Sequence, residues 1–115
     1  MVSHVVLMKP RSNLTAAART ALIDALETAV REISTVRNVR IGRRVLHGAE
    51  YEAMSPNTAD YLAIIDFDDV AGLESYLRHP SHAELGRRFG ESLSAAVVYD
   101  FEMGGVDALR AGGLA

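Results

Sequence analysis

The sequence contains no cysteine, which excludes disulfides, thiolate metal sites and thiol catalysis. Tryptophan is absent too, and there are only three prolines. No stretch approaches the roughly 20 consecutive apolar residues that a membrane-spanning helix needs, so no membrane partner is expected. The opening MVSHVVLMKP has neither the charged leader nor the long apolar core of a signal peptide. Basic runs are also missing: 12 Lys and Arg against 15 Asp and Glu leave a net charge of −3. That argues against nucleic acid as a partner. Arg37, Arg40, Arg43 and Arg44 crowd together, but Arg43 and Arg44 would point to opposite faces of a strand. Taken together, these absences lead us to expect a cytoplasmic protein.

What is present suits one small domain. The chain has 115 residues, 49% of them hydrophobic and 23% charged, an ordinary globular balance. SHVVLMK, from Ser3 to Lys9, is β-branched and reads as a strand closed by Pro10. From Thr15 to about Ile33, Leu22, Ile23, Leu26, Val30 and Ile33 recur at helical spacing, with Thr15 as N-cap. VRIGRRVLH alternates as a second strand, and HGAEYEAMSPNTAD has the composition of a loop. YLAIIDF, from Tyr61 to Phe67, is a third strand. Asp68 or Asp69 then caps a short helix with Val70, Leu73 and Leu77 on one face.

Pro80 disfavours helical geometry at His79, so that helix should break there. Ser81 followed by Glu84 predicts a capping box that starts a new helix, with His82 at its first position. Leu85, Phe89 and Leu93 would form its apolar stripe, and AAVVYDFE, from Ala95 to Glu102, a fourth strand. Residues 1–103 thus form the domain, and residues 104–115, with four glycines, are expected to be a flexible tail.

The order βαββαβ predicts an α+β, ferredoxin-like fold: a four-stranded antiparallel sheet with helices on one face, the second helix broken at Pro80. The uncovered face should then be polar, yet both parities of the first and third strands are apolar. Val5 and Leu7 oppose His4, Val6 and Met8; Leu62 and Ile64 oppose Tyr61, Ala63, Ile65 and Phe67. A second copy packed sheet against sheet would cover that face, so a homodimer with a barrel-like interface is expected.

The candidate chemistry lies in SYLRHPSHAEL. Tyr76 and His79, three apart, share a helical face at a C-terminus, where the helix dipole favours imidazolium at His79. His82 begins the next helix, where the dipole favours the neutral imidazole that a general base needs. Tyr76 would donate a hydrogen bond to a carbonyl oxygen as charge develops there. His4, on the inward face of its strand, would line the same cavity. The bland alternative is that these histidines only bond carbonyls freed by the break, and that Tyr76 and Tyr61 are core residues. His47 stands alone before a loop. HPSH lacks a further ligand at metal-binding spacing, and no strand-loop-helix phosphate cradle occurs, so neither metal nor cofactor is expected.

HVVLMKP, YLAIIDFDDVAGLESYLRHPSH and VVYDFE together resemble the stress-responsive dimeric α/β-barrel (Dabb) family, over about residues 3 to 102. The resemblance implies a ferredoxin-like fold dimerising through a barrel. It also implies kinship with a plant polyketide cyclase that closes a linear polyketide by intramolecular aldol condensation. In that enzyme the last histidine of Tyr-x-x-His-Pro-x-His is the general base, here His82, and the motif's tyrosine, here Tyr76, assists. The strand-one histidine corresponds to His4. Where the cyclase has a third-strand pocket histidine this chain has Tyr61, which changes the donors facing a ligand. The resemblance therefore implies His4, Tyr61 and His79 as ligand-binding residues. Two readings follow: a dimeric stress-associated protein that binds a small carbonyl or polyketide-like molecule, or a cofactor-free acid–base enzyme of cyclase, lyase or isomerase type. A remoter relative, the monooxygenases sharing the dimeric barrel, fits the lack of tryptophan and of a haem-ligand context less well.

Overall fold

The computed structural model describes residues 1–111; of the expected tail, residues 112–115, with Gly112 and Gly113, lie outside the described residues. The elements are β1 (Val2–Pro10), α1 (Ala16–Glu32), β2 (Asn38–Arg43), α2 (Tyr51–Met54), β3 (Tyr61–Phe67), α3 (Val70–Arg78), α4 (Pro80–Ser92), β4 (Leu93–Glu102) and α5 (Ala108–Ala111). The strands form one sheet in the order β2-β3-β1-β4. Every neighbouring pair is antiparallel. This is the ferredoxin-like arrangement.

Thr15 caps α1 by accepting from the Ala18 N–H, and Asp69 caps α3 through Gly72. The second strand is shorter than its alternation suggested, ending at Arg43, so Val45 is exposed. The chain then turns through Gly48, whose φ of 90° lies in the left-handed region that glycine tolerates. The one-turn helix α2 sits inside the expected loop, and α5 inside the expected tail. Leu93 opens β4 rather than ending a helical stripe.

The helix-facing side of the sheet carries Val2, Val6, Met8, Ala63, Ile65 and Phe67 in the core. Residues Val2, Ile65 and Phe67 pack in one cluster with Ala25, Ala29 and Ile33 of α1's side, Leu73 and Tyr76 of α3 and Leu85 of α4. The buried stripe of α1 is therefore Ala25, Ala29 and Ile33. Of the expected stripe only Ile33 is fully buried; Leu22, Leu26 and Val30 are half-buried and Ile23 is exposed. Small side chains let a helix approach its neighbours closely, and α1 uses them to pack on α4. Leu22 and Leu26 pack, half-buried, against the same cluster.

On the opposite side, the register aligns Val5 and Leu7 with Ile64 and Leu62 on one flank and Tyr99 and Val97 on the other. Among the described residues neither α1, α3 nor α4 covers this face, and only residues 44–60 with the one-turn α2 flank it; Tyr99 and Phe101 are about half exposed, their rings 6.1 Å apart. Its buried polar pair is satisfied internally, the Ser3 hydroxyl donating to Asp66 Oδ1 at 2.6 Å.

Candidate functional site

The break between α3 and α4 follows from proline. Pro80 has no N–H to offer the Tyr76 carbonyl, which instead accepts from the His79 N–H at 3.2 Å. His79 is the N-cap of α4: its Nδ1 accepts from the Ser81 N–H at 3.0 Å. The expected capping box does not form. The Ser81 hydroxyl donates to Glu32, and Glu84 pairs with Arg87 and Arg88. Those two guanidinium groups hold the Glu84 carboxyl below its ordinary range. His82 accordingly sits in the third helical position, not the first.

This geometry brings three of the five sequence candidates together. Tyr76 is 1% exposed and His4 5% exposed. The His4 and Tyr76 rings lie edge-on, centroids 5.7 Å apart, and Tyr76 and His82 do the same at 4.8 Å. Phe67 closes the other side of Tyr76 at 5.2 Å. Burial pushes the Tyr76 phenol up to about 12, so it keeps its proton at neutral pH. For His82, desolvation lowers the pKa, and a positive charge on His4 would lower it further. The Leu77 carbonyl acts in the opposite sense. In an unbroken helix that carbonyl would accept from Ser81, whose N–H now goes to His79.

The other two candidates do not join the cluster. His79 is committed to capping α4. Tyr61 pairs with Met8 across the sheet, whereas His4 pairs with Ile65, four residues along the same strand. Sequence reading also missed Asp100. It sits opposite His4 in the register, and its Oδ1 accepts from His4 Nδ1–H at 2.6 Å. This fixes the proton on Nδ1 and leaves Nε2 as the free nitrogen of the neutral ring. The alternation of VVYDFE hinted at the face of Asp100, but only the strand register pairs it with His4. His47 is not solitary either: its Nε2 lies 2.9 Å from the Tyr51 hydroxyl. Among the described residues no three His, Asp or Glu side chains gather as a metal site would require.

A large apolar cavity lies elsewhere. About 920 Å³ opens between α1 and the β2 side of the sheet, walled by Leu22, Leu26 and Val30 against Val39 and Ile41, with Tyr61 at one end. A second hollow of about 630 Å³ lies between the outer sheet face and residues 44–60, touching Leu7, Leu62, Val97 and Tyr51. Neither is lined by His4, Tyr76 or His82.

A ferredoxin-like α+β chain with a tyrosine–histidine cluster at a proline break and a largely uncovered apolar sheet face defines the class. The chain belongs to the stress responsive A/B barrel domain (Dabb) family, whose pattern matches residues 2–103. No curated protein matches it. Among solved structures it is similar to an Arabidopsis thaliana protein at 21% identity and TM-score 0.76, covering 92% of this chain and 98% of that one. A hydroxynitrile lyase from Passiflora edulis superposes with TM-score 0.76 at 14% identity, covering 91% and 94%. A dimeric ferredoxin-like protein of unknown function from Bacteroides fragilis gives TM-score 0.62 at 22% identity, covering 89% and 95%. At such identities the likeness is one of fold. No helix among the described residues is long and apolar enough to cross a membrane.

Proposed function

We propose that this chain is a homodimeric protein that binds a small carbonyl or polyketide-like molecule in the cavity between α1 and the sheet. The observation that carries this reading is the cavity itself. Its volume of about 920 Å³ falls in the range of ligand pockets, and its walls are lined by half-buried Leu22, Leu26 and Val30 with Val39 and Ile41. Tyr61, at its end, supplies a hydroxyl for orientation. Titrating the protein with a medium-chain methyl ketone tests the site: Ile41→Trp should fill the cavity and abolish binding while thermal unfolding stays cooperative. Wild-type protein that binds no such ketone would overturn the reading.

The outer face supplies the dimer contact. Leu7, Leu62, Ile64, Val97 and Tyr99 form a continuous apolar surface, and the fold neighbour from Bacteroides fragilis is described as dimeric. Sedimentation should give twice the chain mass at micromolar concentration, and Tyr99→Asp should halve it; a wild-type monomer would remove this part of the proposal. The absence of cysteine agrees with the cytoplasmic setting we assign to it.

A second reading, an acid–base catalyst, is favoured by one observation: a protonated Tyr76 hydroxyl whose ring lies edge-on against a His82 whose neutral form is favoured. His82 would remove a proton next to a carbonyl while Tyr76 donates to the oxygen that gains charge. A lyase among the fold neighbours supports it. Because neither residue lines the cavity, substrate would reach them from the partly exposed side of His82. Under this reading His82→Ala abolishes turnover of an activated carbonyl substrate with little change in stability. The reverse pattern, lost stability with intact turnover, rules it out.

A further inference from the structure

The cavity between α1 and the sheet is polarised along its length. On β2, Val39, Ile41 and Arg43 occupy successive helix-facing positions, opposite Ile65, Ala63 and Tyr61. From Val39 to Arg43 this wall runs about 13 Å. On α1, Val30, Leu26, Leu22 and Arg19 recur at helical spacing and run about 16 Å in the same direction. The direction is shared because α1 begins beside the end of β1, where Met8 pairs with Tyr61, and Tyr61 pairs with the end of β2. Both walls therefore change from aliphatic to arginine towards one end.

The charge at that end is unbalanced. Arg11, Arg19, Arg43 and Arg44 line the cavity against only Glu27 and Asp60. Asp60 is already taken up by Lys9, whose Nζ lies 3.3 Å away. Arg44 donates to the neutral Asn57, and among the described residues neither Arg19 nor Arg43 makes an ion pair. This local excess of cations sits in a chain whose net charge is −3.

We infer that the ligand of this cavity is an amphipathic monocarboxylate, its apolar body against Leu22, Leu26, Val39 and Ile41 and its carboxylate at the Arg19–Arg43 end. The inference rests on the cavity being the ligand site and adds the polarity and orientation of its occupant. A guanidinium presents paired N–H donors that match the two oxygens of a carboxylate. A single anionic charge suits a cavity whose remaining walls are mostly apolar.

The test compares decanoate, 1-decanol and acetate on the wild-type protein by calorimetric titration, below micelle-forming concentrations. Decanoate should bind about tenfold or more tightly than decanol, and acetate should not bind measurably. The double variant Arg19→Gln/Arg43→Gln should erase the preference and leave decanol affinity unchanged, with circular dichroism confirming the fold. Equal affinity for decanoate and decanol overturns the anionic head while leaving the cavity as a ligand site. Failure of both to bind overturns the inference and the cavity reading together. Retention of the preference in the double variant overturns the placement of the carboxylate.

Discussion

The two ends of the layer between helices and sheet are built from similar residue types and behave oppositely. At one end Tyr76, Phe67, His4 and Leu85 are packed until almost nothing is exposed. At the other, Ile23, Ile41 and Leu46 stand about half exposed or more around a cavity. The difference lies in where the helices lean. α3 and the start of α4 press on the first end through the proline break, whereas α1 packs chiefly on α4 and makes little contact with β2. Hydrophobic side chains alone do not make a core; a second surface has to reach them.

The sharpest way to break this contrast is to hollow out the closed end. Tyr76→Ala should cost about 3–5 kcal/mol by chemical denaturation, because the ring has Phe67, His4 and His82 around it and no room to collapse. Asp100→Ala should cost about 1 kcal/mol. It removes the partner of a buried histidine, but Asp100 is itself 42% exposed, which weakens the pair.

Acid should also act at the closed end. His82 has a folded-state pKa below its ordinary value of 6.5, so above that value it is neutral whether folded or unfolded. As the pH falls below 6.5, the unfolded chain takes up the proton first, and stability declines until the folded-state pKa is passed. Unfolding midpoints measured from pH 7 to pH 5 should fall more steeply for wild type than for His82→Gln; identical slopes would remove His82 as the cause.

The smallest effects sharpen the contrast from both sides. Tyr76→Phe should shift stability by no more than about 1 kcal/mol, since it keeps the packed ring and removes a single hydroxyl. At the open end, Ile41→Ala should stay within about 1 kcal/mol, measured in the same denaturant series, because the side chain is 55% exposed. A loss at Ile41 as large as that at Tyr76 would mean the cavity is closed in solution.

Much of the fold was legible because it rests on local rules. Strand alternation, the Thr15 and Asp69 caps and the break at Pro80 each depend on neighbours within a few residues. Misreadings came where a residue had two local options. Ser81 and Glu84 fit a capping box, but His79 Nδ1 reached the Ser81 N–H first, and Arg87 and Arg88 drew Glu84 away. The α1 stripe was incomplete: Leu22, Leu26 and Ile33 do pack on the core, but Ala25 and Ala29 lie deeper in it. Periodicity ranks residues by hydrophobicity and favours leucine and isoleucine, while close packing favoured the alanines. In the site, spacing put Tyr76 with His79, whereas the turn at Pro80 brings His82 against Tyr76 instead; His4 needed the fold, and Asp100 needed the register.

By itself the sequence determined the order of elements, the proline break and the two apolar faces of the sheet, since each follows from backbone preference or from the two-residue period of a strand. Only the tertiary structure decided that the Tyr61 and His79 side chains stay out of the Tyr76–His82 ring cluster, and that a large apolar cavity opens over β2. Those outcomes depend on strand register and on which helix leans on which. Both are set by contacts between residues far apart in the chain, which no local pattern encodes.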